Sequence, residues 1–277
     1  MPFDLRLALN AVSDVVVNRP LPLREFDQIY MKVGDLVVHA EFVARRFDGR
    51  NVVFVGDGDA IGLAIAHLMN EKVLDYGPSK ILVLDFDERM VNSVRSFAAD
   101  YECTERIEAQ LYNVVDEVPA GLLGAFGGFH INPPWGQHNK GESVAVFLER
   151  AIQLVALGGL GVVVIADDPT LEWTQGVLRR TQSVAVQTGL VVDEMIPAFH
   201  SYHLDDAPGL RSCALVFRKV TSDRLPNEQL PHARLENFYG RGNPLRVHYV
   251  REVPKVARGR ADDRTYELEP LSGGGAT

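Results

Sequence analysis

Apolar residues along this chain alternate between two rhythms through its centre. Short, largely apolar runs at residues 51–55, 80–84, 107–111, 128–131, 160–166 and 190–196 read as strands of a sheet covered on both faces. Between them, apolar positions spaced three and four apart predict helices over 60–71, 88–99, 143–157 and 171–187. Met90, Val91, Val94 and Phe97 mark the inward face of the second helix. A last strand over 212–218 follows its predecessor with no helix between them, so the two pair antiparallel.

Strands separated by helices predict an α/β fold, with a mostly parallel sheet covered on both sides. Seven strands closing on an antiparallel last one is the order of a class I methyltransferase-like Rossmann fold, assigned here to residues 49–220. Residues 1–48 form a small N-terminal leader. In it, 4–17 suits helix or strand, Arg19-Pro20-Leu21-Pro22 is extended because proline restricts the residue before it, and 34–47 is helical. Residues 221–277 are a C-terminal extension broken by Pro226, Pro231, Gly240, Gly242, Pro244 and Pro254. Its Ser272-Gly-Gly-Gly-Ala276 run reads as disordered.

Composition narrows the function classes. Lys and Arg number 28 against 37 Asp and Glu, a net charge of −9. That balance argues against a protein that grips nucleic acid chiefly by neutralising phosphates. Arginines at 45, 46, 50, 179, 180, 241, 246, 251, 258 and 260 are the candidates for a local basic groove. No apolar run reaches the ~18 residues of a membrane span, and the first ten residues lack a basic leader, so the expectation is a cytoplasmic protein without a membrane partner. Cys103 and Cys213 have neither disulfide-framework nor zinc spacing, and no metal is expected.

In an open parallel sheet, ligands sit beyond the carboxyl ends of the strands. The first such end reads Gly56-Asp57-Gly58-Asp59: glycines let the backbone approach a ligand, and paired carboxylates suit an ammonium better than a pyrophosphate. The second end supplies Asp85, with Phe86 beside it, as an acceptor for ribose hydroxyls; Asp85 also suits a helix cap. The third supplies Asn113 for an adenine edge. Together these favour S-adenosylmethionine, or its decarboxylated form, over a nicotinamide cofactor. The fourth end is Asn132-Pro133-Pro134-Trp135, the loop form of enzymes that methylate amino groups on adenine, cytosine or glutamine. By that resemblance Asn132 and the Pro133 carbonyl accept from a planar amine, while Trp135 offers a face for stacking or cation–π contact. Pro134 and His138 continue the acceptor side. His200, Tyr202 and His203, in a loop expected after the sixth strand, lie at the same edge; His130 suits a core histidine.

Residues 18–28 (Asn-Arg-Pro-Leu-Pro-Leu-Arg-Glu-Phe-Asp-Gln), Val53 to Asp59, Leu84-Asp-Phe-Asp-Glu-Arg89 and the Pro-Pro loop resemble the branched-chain polyamine synthases, the bis-aminopropyl spermidine synthase family. The resemblance runs from about residue 18 to 220. It implies a leader packed on the Rossmann domain, an acceptor site that includes Asp27 and Gln28, and a glycine-aspartate loop, Asp59 above all, that binds and activates an amine. Two positions depart from the family's pattern: Gly58 replaces an acidic residue, and Asn132 replaces the aspartate of Asp-Pro-Pro. Fewer carboxylates attract a polycation less. The expectation is therefore a transferase moving an alkyl group from a sulfonium donor to nitrogen of a small-molecule amine, with methyl transfer slightly favoured. Aminopropyl or 3-amino-3-carboxypropyl transfer is the alternative, nucleic-acid amino methylation a third reading, and a homodimer stays open.

Overall fold

In a computed structural model describing residues 3–205, 207–253 and 266–271, seven strands form one sheet. They are β1 (Asn51–Val55), β2 (Lys80–Asp85), β3 (Ile107–Leu111), β4 (Phe126–Ile131), β5 (Val155–Ala166), β6 (Leu190–Ser201) and β7 (Arg211–Lys219). Their order is β3-β2-β1-β4-β5-β7-β6, with β7 antiparallel to both neighbours. This is the class I methyltransferase-like Rossmann arrangement. Chain order reverses direction at β1, flanked by β2 and β4, so the ligand crevice forms beyond their carboxyl ends. Both faces of β1 and β2 are buried, which explains their unbroken apolar runs.

Helices α3 (Ile61–Asn70), α4 (Glu88–Asp100), α5 (Glu142–Leu154) and α6 (Glu172–Gln187) cover the sheet. Carboxylates start two of them. Asp57 accepts from the N–H groups of Ile61 (2.9 Å) and Gly62 (2.8 Å). Asp87 caps α4 through Arg89 N–H and also clasps the Arg89 guanidinium. At Gly56 the backbone takes φ 71°, and a Cβ there would stand 3.0 Å from the Phe147 ring, so only glycine fits the turn.

The leader is helical in two pieces, α1 (Leu5–Asn18) and α2 (Val33–Arg46). Asp4 caps α1, whose Ala8, Ala11, Val12 and Val15 are buried at helical spacing against α3 and α2. Between the helices the chain makes a single 3-10 turn at Arg24–Phe26, ending on the left-handed Asp27, and Met31 then bridges to Tyr202 just beyond β6. The tail adds a hairpin of β8 (Val247–Glu252) and β9 (Tyr266–Pro270).

Two boundaries differ from the sequence reading. Helix α5 stops at Leu154 and β5 begins at once, because Val155 pairs with Phe126 and the glycines at 158 and 159 absorb a register shift that the apolar pattern hides. Strand β6 runs on to Ser201 through a second irregularity, with Ala198 at φ 47° and its N–H donated to Asp167. Phe199, His200 and Ser201 are thus strand rather than loop. The Ser272–Ala276 run and Arg258 and Arg260 lie outside the described residues. No helix among the described residues is long and apolar enough to cross a membrane.

Candidate active site

The carboxyl ends of β1, β2 and β4 open into a cleft of about 680 Å³, its mouth included, roofed by the leader and the tail. From the strand ends come Gly56, Gly58, Asp59, Asp85, Phe86, Asn132, Pro133, Pro134 and Trp135. The leader adds Phe26, Asp27, Gln28 and Tyr30, and Tyr202 and Tyr239 complete the wall.

Asp59 is the best-anchored of these groups. One oxygen accepts the Met31 N–H at 2.8 Å, and the other accepts the Asn132 amide at 3.1 Å. Arg19 approaches the carboxylate at 3.5 Å and donates to the Asp59 carbonyl at 3.0 Å, while its guanidinium stacks 3.9 Å over the Tyr30 ring. Burial raises the Asp59 carboxyl to about 6 even with Arg19 opposing it. Asp27, in the left-handed region at φ 58°, is likewise raised to about 6 by burial, against the opposing pull of Arg24 and the Trp135 backbone N–H. Asp85 accepts from the N–H groups of Asp57 and Asp87, each at 2.9 Å. Burial first, and the Asp87 carboxylate second, push it up to about 7. Three carboxylates therefore border a pocket whose lining, among the described residues, contains no lysine or arginine.

On the β2 side, Phe86 stacks with Tyr239 (centroids 6.2 Å apart), and Phe26 meets both rings edge-on. A smaller recess continues there between Gly56, Asp85, Asn113, Phe147 and Tyr239. The tail is fastened over it: Ser143 donates to the Phe238 carbonyl at 2.7 Å, Arg150 donates to the Glu228 carbonyl at 2.7 Å, and Arg234 pairs with Glu142 and Glu149.

Of the residues singled out from the sequence, Asp27, Gln28, Gly56, Gly58, Asp59, Asp85, Phe86, Asn132, Pro133, Pro134, Trp135 and Tyr202 line this cleft. Five do not. Asp57 is turned under α3, spent on its first N–H groups. Asn113 borders the recess, but its amide donates to the Val247 and His248 carbonyls, so it fastens β8 instead of reading an adenine edge. His138 lies in a separate surface hollow with Asn139 and Arg234. His203 is exposed, with its backbone N–H given to the Tyr30 carbonyl. His200 is fully buried inside β6, because the bulge at Ala198 turns it inward.

Tyr30, Phe26 and Tyr239 were missed. The signal for Tyr239 was the aromatic pair Phe238-Tyr239 standing before Gly240 in a tail that is otherwise polar and proline-broken. Of the arginines noted as a basic groove, Arg45, Arg46, Arg180 and Arg251 are paired with Glu41, Glu194, Glu142 and Glu269.

Comparison with known proteins places the chain in a family. The N(4)-bis(aminopropyl)spermidine synthase of Thermococcus kodakarensis is 27% identical over 197 residues, covering 70% of this chain and 52% of the relative. The enzyme of the same name from Methanocaldococcus jannaschii is 27% identical over 128 residues, 46% of this chain and 34% of that one. The chain thus spans about half, or less, of these relatives. The branched-chain polyamine synthase of Thermus thermophilus, solved with N4-aminopropylspermidine and 5′-methylthioadenosine, superposes with TM-score 0.69 at 20% identity, over 81% of this chain and 67% of that one. A putative RNA methyltransferase from Pyrococcus horikoshii shares the fold more distantly, with TM-score 0.55 at 13% identity over 78% of this chain and 100% of that one. The leader, the carboxylate loop and the tail wall all fall within residues 8–266, the span matched by the family model for the branched-chain polyamine synthase A C-terminal domain, and this chain belongs to that family.

Proposed function

We propose that this protein transfers an aminopropyl group from decarboxylated S-adenosylmethionine to a nitrogen of a small polycationic amine. The observation that carries the reading is the charge of the cleft: Asp27, Asp59 and Asp85 line it and, among the described residues, no cationic side chain does. A polyamine and an aminopropyl sulfonium are positive at every charged group, so both suit such a lining. S-adenosylmethionine would bring a carboxylate among these aspartates, with Arg19 turned away into its pairing with Asp59. The names of the relatives support the same donor. Methyl transfer, slightly favoured from the sequence because Gly58 and Asn132 replace two carboxylates of the family pattern, is therefore less well supported than aminopropyl transfer.

The residues present fit the donor. The recess lined by Phe86, Phe147 and Tyr239 suits a nucleobase, and Asp85, with two lone pairs spent on backbone N–H groups, keeps others for ribose hydroxyls. The donor supplies a carbon made electrophilic by positive sulfur; as the amine lone pair attacks, the carbon–sulfur bond breaks and its electron pair stays on sulfur. Protein groups do the rest. Asn132, its amide N–H fixed on Asp59, presents its amide oxygen to an amine N–H and so orients the lone pair. Asp59, with proton affinity near pH 6, takes the proton that the alkylated nitrogen sheds. Trp135 and Tyr30 wall the cation with aromatic faces. The test is product mass spectrometry after incubation with spermidine and each donor in turn. A gain of one aminopropyl unit from the decarboxylated donor is expected; a methyl gain from S-adenosylmethionine, with nothing from the decarboxylated donor, overturns the proposal.

A further inference from the structure

Behind the aromatic wall runs a chain of five buried polar side chains drawn from four elements. His130 Nε2 (β4) meets His39 Nε2 (α2) at 2.8 Å, and His39 Nδ1 meets His200 Nε2 (β6) at 2.8 Å. His200 Nδ1 meets the Ser212 hydroxyl (β7) at 2.7 Å, and Ser212 meets the Tyr202 hydroxyl at 2.8 Å. Buried polar side chains cost stability unless each is satisfied, and here each link satisfies two. Both ends reach the same catalytic loop. His130 precedes Asn132 by one residue, Ile131, and the Tyr202 ring stands edge-on to Trp135 with centroids 5.2 Å apart.

A neutral imidazole has one donor and one acceptor nitrogen, so each nitrogen–nitrogen contact needs one bare and one protonated partner. The three rings then have two self-consistent proton orders, one the reverse of the other. An extra proton on His39 sets its N–H against the N–H of a neighbouring ring in either order. Burial keeps the three rings uncharged: it pulls His130 and His200 down to about 3 and His39 well below its ordinary value, with the neighbouring histidines adding to the effect on His39 and His130. The far end is closed, since His130 Nδ1 is buried and finds no partner among the described residues. A chain without an outlet cannot carry a proton to solvent; it can only keep one order and hold the group at its open end.

We propose that His39 is a positioning residue of the transfer site: as the middle link of this neutral histidine chain it fixes the Tyr202 hydroxyl, and through the Tyr202 ring the Trp135 wall against which the acceptor nitrogen lies. The proposal rests on the transfer reading above and extends it to the leader, which supplies the central link from α2. It accounts for a histidine on an otherwise apolar helix face.

The test pairs kinetics with imidazole ¹⁵N spectra. Tyr202→Phe keeps the ring and removes the chain's last link; His39→Phe removes the middle one, and His39→Gln restores a side chain with both donor and acceptor. The expected result is a fall of about tenfold in kcat for Tyr202→Phe and His39→Phe, the size of one lost hydrogen bond, with the Kd for 5′-methylthioadenosine within about twofold of the parent. His39→Gln recovers part of the loss. If His39→Phe fails to fold, Tyr202→Phe and the spectra decide. In the parent protein each of the three rings shows one protonated nitrogen from about pH 5 to about pH 8, and His200 shifts in Tyr202→Phe and on adding spermidine with 5′-methylthioadenosine. Titration of any of the three in that range, parent-like kcat in Tyr202→Phe, or a His200 signal indifferent to ligand overturns the proposal. A parent protein that transfers nothing from any sulfonium donor contradicts the transfer reading instead, and the ligand response of His200 then still decides whether the chain serves the pocket.

Discussion

Asn132→Asp probes the site's electrostatics most sharply. The Asn132 amide donates to Asp59 at 3.1 Å, so the substitution trades a donor for a second carboxylate at about that distance. Two unit charges ~3 Å apart at an effective dielectric near 20 repel by about 5 kcal/mol, equivalent to roughly 4 pKa units. Asp59 already sits at about 6, so near neutral pH the pair keeps one proton between its two carboxyls. A polycationic amine must expel that proton to bind. Calorimetry of spermidine binding in two buffers of different ionisation enthalpy counts protons released. Near pH 7.5 the variant releases about one proton more than the parent, and its apparent affinity climbs with pH where the parent's has levelled. Equal proton counts and parallel pH profiles would refute the picture of Asn132 as the neutral spacer beside Asp59.

Three further outcomes follow from the same geometry. Asp85→Asn weakens 5′-methylthioadenosine binding by about 1.5–3 kcal/mol while leaving the KM for the amine within about twofold; equal damage to both would deny Asp85 its nucleoside role. Tyr239→Ala costs the same ligand about 1–3 kcal/mol and Tyr239→Phe far less, read by the same titration, because the tail supplies a stacking face and not a hydrogen bond. Asp27 and Asp59 rise to about 6 and Asp85 to about 7, from an ordinary 3.8, so the folded chain binds protons more tightly than the unfolded one. Their contribution therefore lowers the stability of the ligand-free protein as pH rises from about 4 to about 7 and then levels off. Thermal melts should show a flatter slope over that window in Asp85→Asn, and an unchanged slope contradicts the assignment.

Much of this was legible in the sequence, for reasons that particular residues make plain. Strands β1 and β2 stood out because burial on both faces demands near-continuous apolar runs, and β3 because Ile107, Ala109 and Leu111 alternate with polar residues. The Asn132-Pro133-Pro134-Trp135 turn was visible because two prolines leave the chain little conformational choice. The end of β6 was not: Phe199-His200-Ser201-Tyr202-His203 looks polar enough for a loop, and only the bulge at Ala198 shows that His200 points into a core where His39 and Ser212 satisfy it. Asp57 illustrates a second limit. Sequence places it beside Asp59 as an equal, but its two oxygens are consumed by the first turn of α3, a role that depends on Ala60 taking a left-handed conformation at φ 59°. Tyr239 shows a third, since a wall contributed from a hundred and more positions downstream has no local pattern to announce it.

In the proposed reaction, carboxylates in a cleft whose lining holds no lysine or arginine among the described residues select a sulfonium donor that lacks a carboxylate of its own. Direct titration of the protein with S-adenosylmethionine and with its decarboxylated form, at one pH and salt concentration, measures that selection without needing turnover. The decarboxylated donor is expected to bind at least about tenfold more tightly, a difference of about 1.4 kcal/mol. Equal affinities, or tighter binding of the carboxylate-bearing form, would contradict it.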